Sequence, residues 1–117
     1  MSRVQSTAQV PINALEGVKE KLLGALQFTQ CEITAVGDFN IEAKRGSQVV
    51  FRGKGAMIAN DVDYPIKISI GIFQHEGKFL VNIAIDEAMG FGLIIGAKGK
   101  YQGVCNRLRD SLAVSIS

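Results

Sequence analysis

Two alternating runs joined by a short turn constrain this chain more than any other feature. Residues 64–73 place Ile66, Ile68, Ile70 and Ile72 on one side, and residues 78–86 place Phe79, Val81, Ile83 and Ile85 on one side. A period of two is the spacing of a strand with one buried face. Gln74-His75-Glu76-Gly77 lies between the runs and carries turn residues. Pairing Phe73 with Lys78 sets the isoleucines opposite the second apolar set, which predicts an antiparallel hairpin with a single shared face.

Such a face has to be covered, and helices are the available cover. Ile12, Leu15, Val18, Leu22 and Leu26 recur at helical spacing, with Glu16, Lys19 and Glu20 on another side. The spacing predicts an amphipathic helix over 11–27, with Pro11 in its first turn. Residues 3–10 alternate before it, with Val4, Ser6, Ala8 and Val10 on one side, as a first strand that Pro11 ends. From Tyr101 onward Val104, Cys105, Leu108 and Leu112 share a face that Arg107 and Arg109 avoid, which predicts a final helix.

Between the first helix and the isoleucine strand, residues 31–43 alternate throughout and predict one long strand. Lys44-Arg45-Gly46 then makes a three-residue hairpin loop, and the return strand covers 47–58. With Ala43 opposite Ser47, Phe39 meets Phe51 on the inner face and Asp38 meets Arg52 on the outer face. Residues 88–100 hold Met89, Phe91, Leu93 and Ile95 among four glycines, compatible with a bulged strand, a loop or a lid. At 117 residues one core suffices. The expected architecture is a single α+β domain over residues 1–117: an antiparallel sheet of about five to six strands, with an N-terminal and a C-terminal helix packed on one face.

Composition narrows the function. Thirteen Lys and Arg against eleven Asp and Glu leave a net charge of +2 with no basic stripe, so no nucleic-acid partner is expected. The most apolar stretch, residues 88–97, has about half the length that spans a bilayer, and no export signal opens the chain. A cytoplasmic protein without a membrane span is the expectation. Cys31 and Cys105 stand far apart among apolar neighbours and read as reduced, buried thiols. His75 is the single histidine and falls in a turn, too few ligands for a metal site. Gly90-Phe91-Gly92 lacks the third glycine of a dinucleotide fingerprint, and neither Lys98 nor Lys100 is followed by the Ser or Thr of a phosphate loop. Asp61 and Asp63 read as turn residues, and Asp86-Glu87 as a strand end. No residue is assigned a catalytic, metal-binding or cofactor-binding role.

The outer face of the sheet carries Arg52, Lys54 and Lys67, with Lys67 expected opposite Lys54. Like charges facing one another suggest an anion or acidic partner. Val36, Val50, Ile58, Phe73 and Leu80 fall on the same face and suggest a homo-oligomer formed through it.

The order strand, Val10-Pro11, amphipathic helix, antiparallel strands, glycine-containing segment and C-terminal helix resembles the helix-grip proteins, the START and Bet v 1-like family. The run Leu93-Ile94-Ile95-Gly96-Ala97-Lys98-Gly99-Lys100 before a helix is also similar to small polyhydroxyalkanoate-granule-associated proteins. The helix-grip resemblance implies a non-enzymatic module that holds an apolar small molecule or lipid between sheet and last helix. Phe39, Phe51, Ile70, Phe79, Ile83 and Leu108 would line that space; packed together, the same residues would make an ordinary core.

Overall fold

A computed structural model describes residues 4–47, 60–88 and 98–117. These form strand β1 (Gln5–Ile12), helix α1 (Val18–Phe28), strands β2 (Glu32–Val36), β3 (Asn40–Arg45), β4 (Ile66–His75) and β5 (Lys78–Glu87), and helix α2 (Lys98–Ile116). The strands make one open antiparallel sheet in the order β1-β5-β4-β3-β2. The expected α+β class holds: five antiparallel strands with an N-terminal and a C-terminal helix.

The β4–β5 hairpin keeps the faces that the alternation requires but slides its register by two residues. His75, not Phe73, faces Lys78, so Ile72, Ile70 and Ile68 lie opposite Val81, Ile83 and Ile85. The turn contains two residues rather than four. Glu76 (φ 51°) and Gly77 (φ 78°) both adopt left-handed backbone, the pairing whose twist matches the flanking strands. A slip of two preserves which side chains point inward, so the pattern of apolar residues could not distinguish the two registers.

Pro11 does not start a helix. It sits inside β1 opposite Leu80. Among the described strands β1 lies at the edge, where a residue without an N–H is tolerated. The helix begins only after Gly17, whose positive φ of 79° turns the chain. Ile12 therefore joins the sheet, while Val18, Leu22 and Leu26 form the buried stripe of α1 as expected.

The long strand over 31–43 is also corrected. It is folded into two strands, β2 and β3, which turn at Asp38 and Phe39 and pair with Val36 opposite Ile41. A Cβ at Gly37 would meet the amide end of the Asn40 side chain, which would have to move aside. A bulge between Ile33 and Ala35 adds one residue to β2 and resets its alternation, so Ile33 and Val36 lie on the same side. Phe39 consequently leaves the inner face and is 57% exposed. Ala43 faces Ile33 on one side and Ile68 on the other, so both neighbours of β3 are accounted for and Ser47 is not its partner. The predicted return strand 47–58, with Val50, Phe51, Arg52, Lys54 and Ile58, lies outside the described residues apart from Ser47, as does most of 88–100.

The inner face of the sheet and the apolar stripes of both helices form one core. α2 contributes Tyr101, Val104, Cys105, Leu108, Leu112 and Ile116, all buried. Ser6 is the polar exception on the inner face of β1. Its hydroxyl donates to Asn106 Oδ1 at 2.8 Å and accepts from Arg109 at 2.9 Å, which satisfies it and ties α2 to the sheet edge. Just before β4 the chain makes a short 3-10 turn at Asp61–Asp63. The turn is steadied by the Asn60 N–H, which donates to the Asp63 carboxylate at 3.0 Å.

Candidate functional site

The two-residue β4–β5 turn determines where the aromatic side chains go. It places Phe79 opposite both Gln74 and Ile12, at the end of the sheet next to the β1–α1 connection. Leu15 from that connection, Phe39 from the β2–β3 turn, Ile72, Phe73 and Gln74 from β4, and Phe79 from β5 line a cleft of about 290 Å³. That is near the lower limit for a small-molecule site. Phe39 and Phe73 (43% exposed) leave much of their ring surface to solvent. Gln74 supplies the cleft's one side-chain amide. Fixed apolar rings beside a single polar group orient an apolar ligand while leaving it few hydrogen bonds.

Of the residues expected to hold a ligand, Phe39 and Phe79 meet in this cleft. Ile70, Ile83 and Leu108 do not join them; they are 2%, 0% and 2% exposed within the core. Phe51 lies outside the described residues. Leu15, Ile72, Phe73 and Gln74 were not assigned to the site. Phe73 had a signal, because it is a large apolar residue on the outward phase of its strand. Its meaning depends on the β2–β3 turn, which brings Phe39 beside it.

The expected basic patch on the outer face is offset by acids. Lys67 stands between Lys44 and Asp86, and Lys44 pairs with Glu32 at 3.3 Å. Arg52 and Lys54 lie outside the described residues. The outer face around Lys67 is polar: Glu42 accepts from the Ser69 hydroxyl at 2.6 Å, and Thr7, Gln9 and Asn82 flank Ala84.

The titratable groups whose pKa values are shifted lie at the opposite end of the sheet from the cleft. Arg45 is 9% exposed and donates to the Thr29 carbonyl at 3.1 Å, at the C-terminal end of α1. Its Nε is buried and has no hydrogen-bond partner among the described residues. Burial lowers the Arg45 pKa, and burial raises both thiols, with Cys105 pushed up to about 11. The Arg45 charge only partly offsets the burial of either thiol. These are protonated thiols, the opposite of an activated nucleophile. Arg107 and Asp61 form a two-point ion pair at 2.7 and 2.9 Å, which lowers the Asp61 pKa. His75 ends β4, exposed, with Glu76 at 3.9 Å. Among the described residues no group of three or more His, Cys, Asp or Glu is arranged to hold a metal ion, and no helix is long and apolar enough to cross a membrane.

Compared with known proteins, the chain matches no protein-family model, and a search of curated proteins returned no match.

Proposed function

We propose that this chain is a small non-enzymatic binding module, and that the aromatic cleft at the end of the sheet takes an apolar small molecule or lipid segment. The observation that carries the proposal is the convergence of Phe39, Phe73 and Phe79 from three separate elements on one open cleft. Rings left exposed together at one place are the usual mark of a surface with an apolar partner. The order of elements on which the helix-grip resemblance rests also favours an apolar ligand. Here its seat is the sheet end, since the inner face opposite α2 is filled by core side chains. Two free buried thiols suit a reducing compartment, and the cytoplasm is the proposed location.

The test is a titration with N-phenyl-1-naphthylamine, a neutral apolar fluorophore, followed by probe fluorescence and by backbone amide shifts. Saturable binding is expected, with shifts confined to Leu15, Phe39, Ile72 to Gln74 and Phe79. Phe39→Ser removes one exposed ring from the cleft and should weaken binding about tenfold while leaving the fold intact. Shifts elsewhere, or unchanged affinity in Phe39→Ser, would overturn the assignment.

A further inference from the structure

The two most exposed large apolar side chains of the described residues are Phe28, at 88%, and Val114, at 72%. They lie on different helices and line the same groove. The groove runs between α1 and α2, has a volume of about 680 Å³, and is also lined by Gly24, Ala25, Ser111 and Ser115. We propose that two copies of this chain associate through this groove, with Phe28 of each copy seated in the small-residue hollow of the other.

Two features favour a second copy over a foreign partner. First, the groove contains both a projection and a recess. Phe28 stands one helical turn from Gly24, and a Cβ placed on Gly24 would meet nothing within 4 Å. In a two-fold contact the same patch serves both sides, so a patch must carry its own complement. Second, the groove has one charge of each sign, Lys21 on α1 and Asp110 on α2. The Asp110 side chain is 67% exposed and, among the described residues, bonds to its neighbour Arg109, at 3.0 Å. A two-fold axis running along the groove would set each Lys21 towards the other copy's Asp110 and form two opposite-charge pairs around an apolar centre. A lipid or an uncharged peptide would use the apolar floor but leave Lys21 without a role.

The inference is independent of the aromatic cleft, which shares no lining residue with this groove. It uses a different surface from the outer sheet face, which is polar around Lys67 and carries Phe73 opposite Leu80 at one end.

The test is sedimentation velocity over a concentration series up to about 200 µM, where a weak two-fold contact with a Kd of roughly 1–100 µM populates the dimer. Phe28→Ser should weaken the dimer at least about tenfold. Circular dichroism should be unchanged, since the side chain is almost fully exposed. The charge variants are decisive. Lys21→Asp alone gives two like-charge contacts in its own dimer, and so does Asp110→Lys alone. Mixed together, they restore two opposite-charge contacts. Each variant should therefore be mainly monomeric by itself, and the equimolar mixture should form the heterodimer. A wild-type chain that stays monomeric throughout the series would overturn the proposal. So would a dimer indifferent to Phe28→Ser, or charge variants that do not rescue each other.

Discussion

Removing one hydroxyl tests how the start of α2 is anchored. Tyr101 is fully buried, its ring edge-on to Tyr64 with centroids 5.0 Å apart and planes at 87°. Its hydroxyl donates to the Pro65 carbonyl, immediately before β4. That carbonyl also accepts from the Ala88 N–H at 2.9 Å. Tyr101→Phe therefore leaves the acceptor with one partner, and the larger penalty for an orphaned buried carbonyl does not apply. The expected loss is about 1 kcal/mol, a typical net hydrogen bond, with the edge-to-face contact retained. Tyr101→Ala removes the ring as well and should cost about 3–5 kcal/mol. In urea unfolding followed by circular dichroism, the midpoint should fall slightly for the first variant and severely for the second, with unchanged slope in both. In a chain of this size the phenylalanine variant should melt about 3–6 °C lower. Burial, with Glu87 adding to it, raises the Tyr101 pKa. Because the fold favours the neutral phenol, its contribution is complete below the ordinary tyrosine pKa and is lost above it. The chain has two tyrosines and no tryptophan, so phenolate absorbance reads them directly. The reasoning fails if Tyr101→Phe is as damaging as Tyr101→Ala, or if both tyrosines ionise at their ordinary pKa in the folded protein.

Ile70→Asp puts an unpaired carboxylate at a position that is 2% exposed in a central strand, and should abolish cooperative melting; a soluble, cooperatively unfolding variant would mean the inner face is misassigned. Cys105 gives a pH dependence. Its thiol is raised from 9.0 to about 11 by burial, so its protonated form stabilises the fold fully below about pH 9 and the contribution is lost as pH rises towards 11, a decline of about 2–3 kcal/mol. Denaturant midpoints for the wild type should fall more steeply across that window than those of Cys105→Ala; equal slopes would contradict the burial argument.

What could be read from the sequence followed from what each pattern determines. The isoleucine alternation in β4, the inward phase of β5, the side of β1 that carries Ser6, and the stripes of both helices were all legible, because burial on one face imposes a period. Three features were not. The register of the β4–β5 hairpin depended on whether Glu76 would accept a left-handed backbone, and both registers satisfied the apolar pattern. Pro11 belonged to an edge strand, but edge position is a property of the assembled sheet. The β2–β3 turn was hidden because a bulge restored the apparent parity of residues 31–43 on either side of Gly37. That last omission cost the site most. With Phe39 read as inward, the cleft it forms with Phe73 and Phe79 was placed in the core, beside Ile70, Ile83 and Leu108.

The most direct test of the binding function is native mass spectrometry of the protein purified without denaturation, compared with its denatured mass. The wild type should carry additional mass that departs on denaturation and extracts into organic solvent, while a Phe39→Ser, Phe73→Ser double variant of unchanged fold should carry none. If wild type and double variant both fly bare, and neither takes up apolar compounds added before analysis, the cleft is not a ligand site and the binding function is wrong.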